Sequence, residues 1–120
     1  MIIKDLQDCE EFIGGDNTLL REILRPDKAD LQLRYSLAHA VVKPGQTSHP
    51  HKLKTSSEVY YILEGYGVMH IGDESARVRA GQAIYIPPGS VQFIENVGES
   101  DLKFLCMVDP AWAAEDEVVL

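Results

Sequence analysis

From residue 31 onward the chain alternates short apolar stretches with glycine- and proline-marked breaks, spaced roughly eight to twelve residues apart. Leu31, Leu33 and Tyr35 alternate with polar residues and lead into Ser36-Leu-Ala-His-Ala-Val-Val42, which predicts a strand over 31–42. Pro44-Gly45 has the chemistry of a turn, with φ preset by the proline and a positive value open to the glycine. Residues 46–57 are polar and interrupted by Pro50, as in a loop or an edge strand. Val59 to Leu63 is a run of β-branched, aromatic and aliphatic residues and predicts the next strand. Gly65 and Gly67 permit a tight reversal, and Val68-Met-His-Ile71 is expected to return as the hairpin partner. Gly72-Asp73 is a second tight turn, leading into a strand over 74–78. Further strands are predicted over 82–86, 91–96 and 102–108, separated by Pro87-Pro88-Gly89 and by the polar loop 97–101.

The first thirty residues carry a weaker pattern. Gly14-Gly15 reads as a break, and Thr18 to Leu24 fits either a strand or a single helical turn before Pro26-Asp27. No long amphipathic helix and no internal repeat is evident. The class is all-β, a sandwich or a small barrel.

A length of 120 residues accommodates one domain, 1–120, with a barrel core at about 31–108, an N-terminal segment 1–30 and a tail 109–120. The chain is 45% hydrophobic and 25% charged, which is ordinary for a globular protein. Its net charge of −8 argues against a nucleic-acid partner, which requires clustered Lys and Arg. Part of that acidity is Glu115-Asp116-Glu117, expected to be a solvated tail. No apolar run approaches bilayer length and the first residues lack a signal-peptide layout, so a cytoplasmic location and no membrane contact are expected. Cys9 and Cys106 are too far apart in sequence for a zinc knuckle or redox dithiol, and Cys106 sits in an apolar run that predicts a buried, inert thiol.

Two spacings carry more information. Gly81, five residues, Pro87, Pro88, Gly89, two residues, Gln92, three residues and Asn96 form one set. Gly45, five residues, His51, then Leu53, four residues, Glu58, six residues and Gly65 form the other. Together they resemble the two motifs of the cupin family, a double-stranded β-helix of jelly-roll type, with two departures. Leu53 stands where the first motif has its second histidine, and Gln92 where the second motif has its histidine.

The resemblance implies a site inside the barrel mouth in which His51, Glu58 and Gln92 hold a divalent Fe, Mn, Ni, Cu or Zn. A second imidazole is available in His49, because side chains two apart on an extended chain face the same way. A metal-free reading stands beside this one, with His51 and Glu58 bonded to each other in a half-buried pocket. Tyr60 and Ile62 share the parity of Glu58 and point with it into the barrel, where Leu53 and Tyr85 complete the pocket lining. Val59, Tyr61 and Leu63 then face outward, and an apolar outer face implies a cover, for which a homodimer is expected. His39 and His70 read as satisfied or surface histidines. The chain lacks a phosphate-binding glycine loop and a nucleophile elbow. Two functions follow. One is binding of a small molecule, with or without a divalent metal. The other is a metal-dependent isomerase, epimerase or dioxygenase acting on a small polar substrate, with Glu58 as ligand or general base.

Overall fold

A computed structural model describes residues 1–28 and 31–120 of the chain. Eleven strands are present among the described residues: β1 (Glu11–Ile13), β2 (Leu19–Leu24), β3 (Ser36–Val42), β4 (His51–Leu53), β5 (Ser57–Glu64), β6 (Tyr66–Ile71), β7 (Glu74–Arg79), β8 (Ala83–Ile86), β9 (Gln92–Asn96), β10 (Leu102–Asp109) and β11 (Glu117–Val119). They form two antiparallel sheets. One runs β1-β2-β3-β10-β5-β8 and the other β11-β4-β9-β6-β7. The only helical pieces among the described residues are three single 3-10 turns. The architecture is the all-β jelly roll expected from the sequence.

Alternation decides which side chains meet between the sheets. Along β10, Leu102, Phe104, Cys106 and Val108 are buried while the residues between them are only partly covered. The same period of two buries Tyr60 and Ile62 on β5, Ala40 and Val42 on β3, and Ile94 on β9. Tyr60 packs on Phe104 with ring centroids 4.4 Å apart, joining neighbouring strands of one sheet through their inner faces.

Two expectations about pairing and extent are corrected. β5 and β6 do not form a hairpin, because they belong to different sheets. β5 lies between β10 and β8, whereas β6 pairs with β7 through the Gly72-Asp73 turn and with β9 on its other side. Gly65, at φ 92°, turns the chain across from one sheet to the other. A Cβ there would stand 2.8 Å from the carbonyl oxygen of Asp101, so no other residue fits without movement. The sheets also extend beyond 31–108. Of the segment 18–24, Leu19–Leu24 is the strand β2 rather than a helical turn, and it pairs along β3. The acidic tail is likewise structured. β11 pairs with β4, and Asp116 accepts hydrogen bonds from Thr55 N (2.9 Å), Thr55 Oγ1 (2.7 Å) and Ser56 N (3.1 Å).

Candidate functional site

A cavity of about 170 Å³ opens between the sheets at the end where the N-terminal strands and the C-terminal tail meet. Its floor is apolar, formed by Leu20, Ala38, Ala40, Leu53, Phe104 and Val108. Four of its polar groups arrive from separate elements. His51 begins β4, Glu58 lies on β5, Asp16 occupies the loop between β1 and β2, and Glu117 begins β11.

His51 is only 3% exposed. Its Nδ1 lies 2.7 Å from the carbonyl oxygen of His49, an arrangement in which Nδ1–H donates and fixes the ring. Nε2 is then directed toward Asp16 Oδ2, 3.6 Å away. Asp16 is itself oriented by Thr18, whose Oγ1 donates to Oδ1 at 2.6 Å, and the backbone around it is anchored where His49 N donates to Asp16 O at 2.7 Å. Glu58 sits at the end of a directed chain. Tyr60 OH donates to Gln92 Oε1 at 3.0 Å, and Gln92 Nε2 donates to Glu58 Oε1 at 3.0 Å. Burial raises the Glu58 carboxyl to about 8, a rise that the Gln92 hydrogen bond moderates and that the negative Asp16 and Glu117 reinforce. Glu58 is therefore held as the neutral acid near neutral pH. Burial, with Asp16 adding to it, also raises Glu117, although nearby His51 and a hydrogen bond from Trp112 oppose the rise. Burial pushes the Tyr60 phenol and the Cys106 thiol far up, so both stay protonated and Cys106 is an inert wall.

At the rim, Trp112 Nε1 donates to Glu117 Oε2 at 3.1 Å, and Trp112 N donates to Ser36 Oγ at 3.0 Å. The Arg25 guanidinium lies over the indole, 4.8 Å from its centroid, while paired with Glu22 and Asp27 at 2.7 Å each.

The structure brings His51, Glu58 and Gln92 together and separates other residues expected at the site. His49 is exposed and touches the site only through its backbone. The strand β4 starts at His51, so the alternation that would align His49 with it does not reach across Pro50. Leu53 and Tyr60 line the cavity. Ile62 has the expected inward parity but is fully buried in the core away from the cavity. Tyr85 is 62% exposed, because it pairs with Val59, whose side chain faces outward. The expected His51–Glu58 contact is replaced by two separate pairs, His51 with Asp16 and Glu58 with Gln92. His39, only 7% exposed, lies on the outer face of its sheet. Burial lowers its pKa, as do Lys103 and Arg21. His70 also lies outside, on Glu95 and Ser75, stacked on Phe93 at 4.1 Å. Asp16, Thr18, Trp112 and Glu117 were not legible as site residues. Each sits in or beside an element of three residues or in a loop, too short for any periodicity to register.

The donor set does not suit a transition-metal centre. Among the described residues no three His, Cys, Asp or Glu side chains converge as ligands. The Gln92 amide oxygen is already taken by Tyr60, and Leu53 fills a ligand position with an isobutyl group.

A family model described as a cupin domain matches residues 38–108. An uncharacterized protein of Methanocaldococcus jannaschii is 41% identical over 120 residues, covering 99% of this chain and 95% of that one. An oxalate-binding protein of Thermotoga maritima is 35% identical over 71 residues, 59% of either chain. Among solved structures, a predicted oxalate decarboxylase of the same organism superposes with a TM-score of 0.80 at 23% identity, covering 91% of this chain and 99% of that one. That last likeness is one of fold.

Proposed function

The chain belongs to the cupin family, and on that premise we propose that it binds a small molecule directly between its two sheets, in contact with His51, Glu58, Asp16 and Glu117. The observation carrying this reading is the cavity itself, about 170 Å³ of space with an apolar floor and a ring of oriented polar groups at one end. Such a concave, mostly apolar site with a few fixed polar groups is what recognition of a small ligand requires. The cupin name of the matching family and the oxalate-binding name of one relative support a binding role without naming this chain's ligand. The ligand is held by the protein's own groups. A divalent metal on His51, Glu58, Gln92 and His49 is not part of the proposal, since their arrangement does not suit one.

An enzymatic reading rests on a specific observation, the separation of acid from base. Glu58 keeps its proton near neutral pH, while His51 Nε2 lies toward the same cavity beside Asp16. A protonated carboxyl and an imidazole nitrogen open to one cavity equip a site for proton transfer. In that case Glu58 is the general acid and His51 the base, in an isomerisation or epimerisation of a small polar substrate.

The outer face of the larger sheet supports a homodimer. Tyr61 (41% exposed), Leu63 (40%) and Tyr85 (62%) lie there beside the half-buried Val59, Leu105 and Met107. An apolar face of this kind, on β5 and β10, which are paired at both edges, and on the edge strand β8, is covered by a second copy at little cost.

A thermal-shift screen of small metabolites and divalent ions tests the binding reading. Hits are expected among metabolites on chelator-treated protein, and they disappear in Ala38→Phe, which fills the cavity, or in the milder Ala38→Leu. Stoichiometric metal in protein purified without chelator, lost in His51→Ala, would contradict it.

A further inference from the structure

We propose, building on the cavity as a ligand site, that it selects an organic cation, a protonated amine on a small apolar body, and rejects carboxylates. The argument is an inventory of open donors and acceptors. Thr18 Oγ1 donates to Asp16, Tyr60 OH to Gln92, Gln92 Nε2 to Glu58, and Trp112 Nε1 to Glu117. Those four donors are committed within the wall, which leaves the Ser36 hydroxyl, an acceptor from Trp112 N, and the proton of the Glu58 acid as open donors. The open acceptors are Oε1 of Glu117, which no donor reaches among the described residues, and His51 Nε2, which has Asp16 only at 3.6 Å. His51 is 3% exposed, a deeply buried side chain that lines the cavity with a nitrogen lacking a close protein partner.

An ammonium brings three donors and no acceptor, which suits Glu117 Oε1 and His51 Nε2. A carboxylate brings only acceptors. The charges point the same way. Two carboxyl groups besides the neutral Glu58 acid, Asp16 and Glu117, face one imidazole, and Arg25, the guanidinium at the rim, is engaged by Glu22 and Asp27 and stacked on Trp112. Apart from His51, which lies beside Asp16, the described lining residues offer an anion such as oxalate no cation free of a carboxylate partner. The space beyond the polar groups is bounded by Leu20, Leu24, Phe104 and Trp112, and the whole cavity, about 170 Å³, is slightly larger than an apolar cavity known to admit one benzene ring, about 150 Å³. A neutral alcohol is the strongest competitor, because Glu58 in its acid form has one proton to donate.

The test is calorimetric titration of chelator-treated protein at constant ionic strength and neutral pH with three probes of one shape: benzylamine, benzyl alcohol and benzoate. Benzylamine is expected to bind at least tenfold tighter than benzyl alcohol, and benzoate to give no saturable binding. Asp16→Asn and, separately, Glu117→Gln should each weaken benzylamine several-fold while leaving benzyl alcohol within about twofold. Benzoate or benzyl alcohol binding as tightly as benzylamine would overturn the cation preference and leave the cavity a ligand site. Absence of binding by all three would overturn both. Equal weakening of amine and alcohol in the variants would also overturn the preference, by tracing their effect to the fold.

Discussion

Glu58→Gln puts the buried acid to a quantitative test. In the unfolded chain this carboxyl ionises around its ordinary value of 4.5, and in the folded chain burial carries it up to about 8. Between those values the unfolded state has lost a proton that the folded state keeps, so stability falls as pH rises, by about 1.4 kcal/mol per pH unit. Below 4.5 the acid is protonated in both states and its full stabilising contribution is present; above about 8 it is ionised in both and nothing further is lost. Glutamine is isosteric with the neutral acid and still accepts from Gln92 Nε2, but it cannot ionise. The variant should therefore match the wild type near pH 4.5 and exceed it by about 1 kcal/mol at pH 5.5, about 3 at pH 7 and nearly 5 above pH 8. Urea unfolding at each pH, followed by far-UV circular dichroism with a shared m-value, reads that difference, and the other titrating groups cancel between the two proteins. A difference that stays flat from pH 4.5 to 8.5, or a variant less stable than the wild type at the alkaline end, would refute the claim that Glu58 is buried as a neutral acid.

Three other perturbations probe the scaffold. Gly65→Ala should cost about 2–3 kcal/mol in urea unfolding, from φ 92° and the 2.8 Å approach to Asp101 O; a loss below 0.5 kcal/mol would mean that the crossing between sheets does not depend on this turn. Asp116→Ala should cost about 1–2 kcal/mol at neutral pH by freeing Thr55 and Ser56. Burial pushes this carboxyl up, but the bonds from Thr55 and Ser56 outweigh it and the net pKa lies below 3.8, so the cost should shrink as pH falls through that value, and an unchanged cost at pH 2.5 would contradict it. Tyr61→Asp should move a dimer toward monomer or aggregate in sedimentation velocity, whereas a wild type that is monomeric at high concentration would remove the basis for the proposed interface.

The strands β5 to β10, and β3 from Ser36 on, were legible in the sequence because each is long enough, or sufficiently marked by its turns, for alternation to show, whereas the three-residue β1 and β11 were not. Leu102 to Val108 announces its inward face in four alternate residues, and Gly72-Asp73 announces a hairpin that is present. Pairing was less legible. β5 and β6 are adjacent in sequence and joined by glycine, yet β5 lies against β10, some forty residues later. Local pattern marks a turn, but whether the chain stays in one sheet or crosses to the other depends on surfaces formed by distant strands. The site divides on the same line. His51, Glu58 and Gln92 follow from motif spacing, while Asp16 and Glu117 come from a two-glycine loop and an acidic tail whose composition is that of solvated chain. What brings them in is the pairing of β11 with β4 and the hydrogen bond from His49 N to Asp16 O, neither of which leaves a local trace.

Trp112 is the single tryptophan, and it lines the cavity with its indole bonded to Glu117. A benzylamine titration of chelator-treated protein, followed by tryptophan fluorescence and run beside Ala38→Phe, reads the central claim most directly. The account predicts a saturable change in the wild type that persists without metal and vanishes when the cavity is filled. A change that appears only after divalent metal is added, or one that survives in the filled variant, would contradict it.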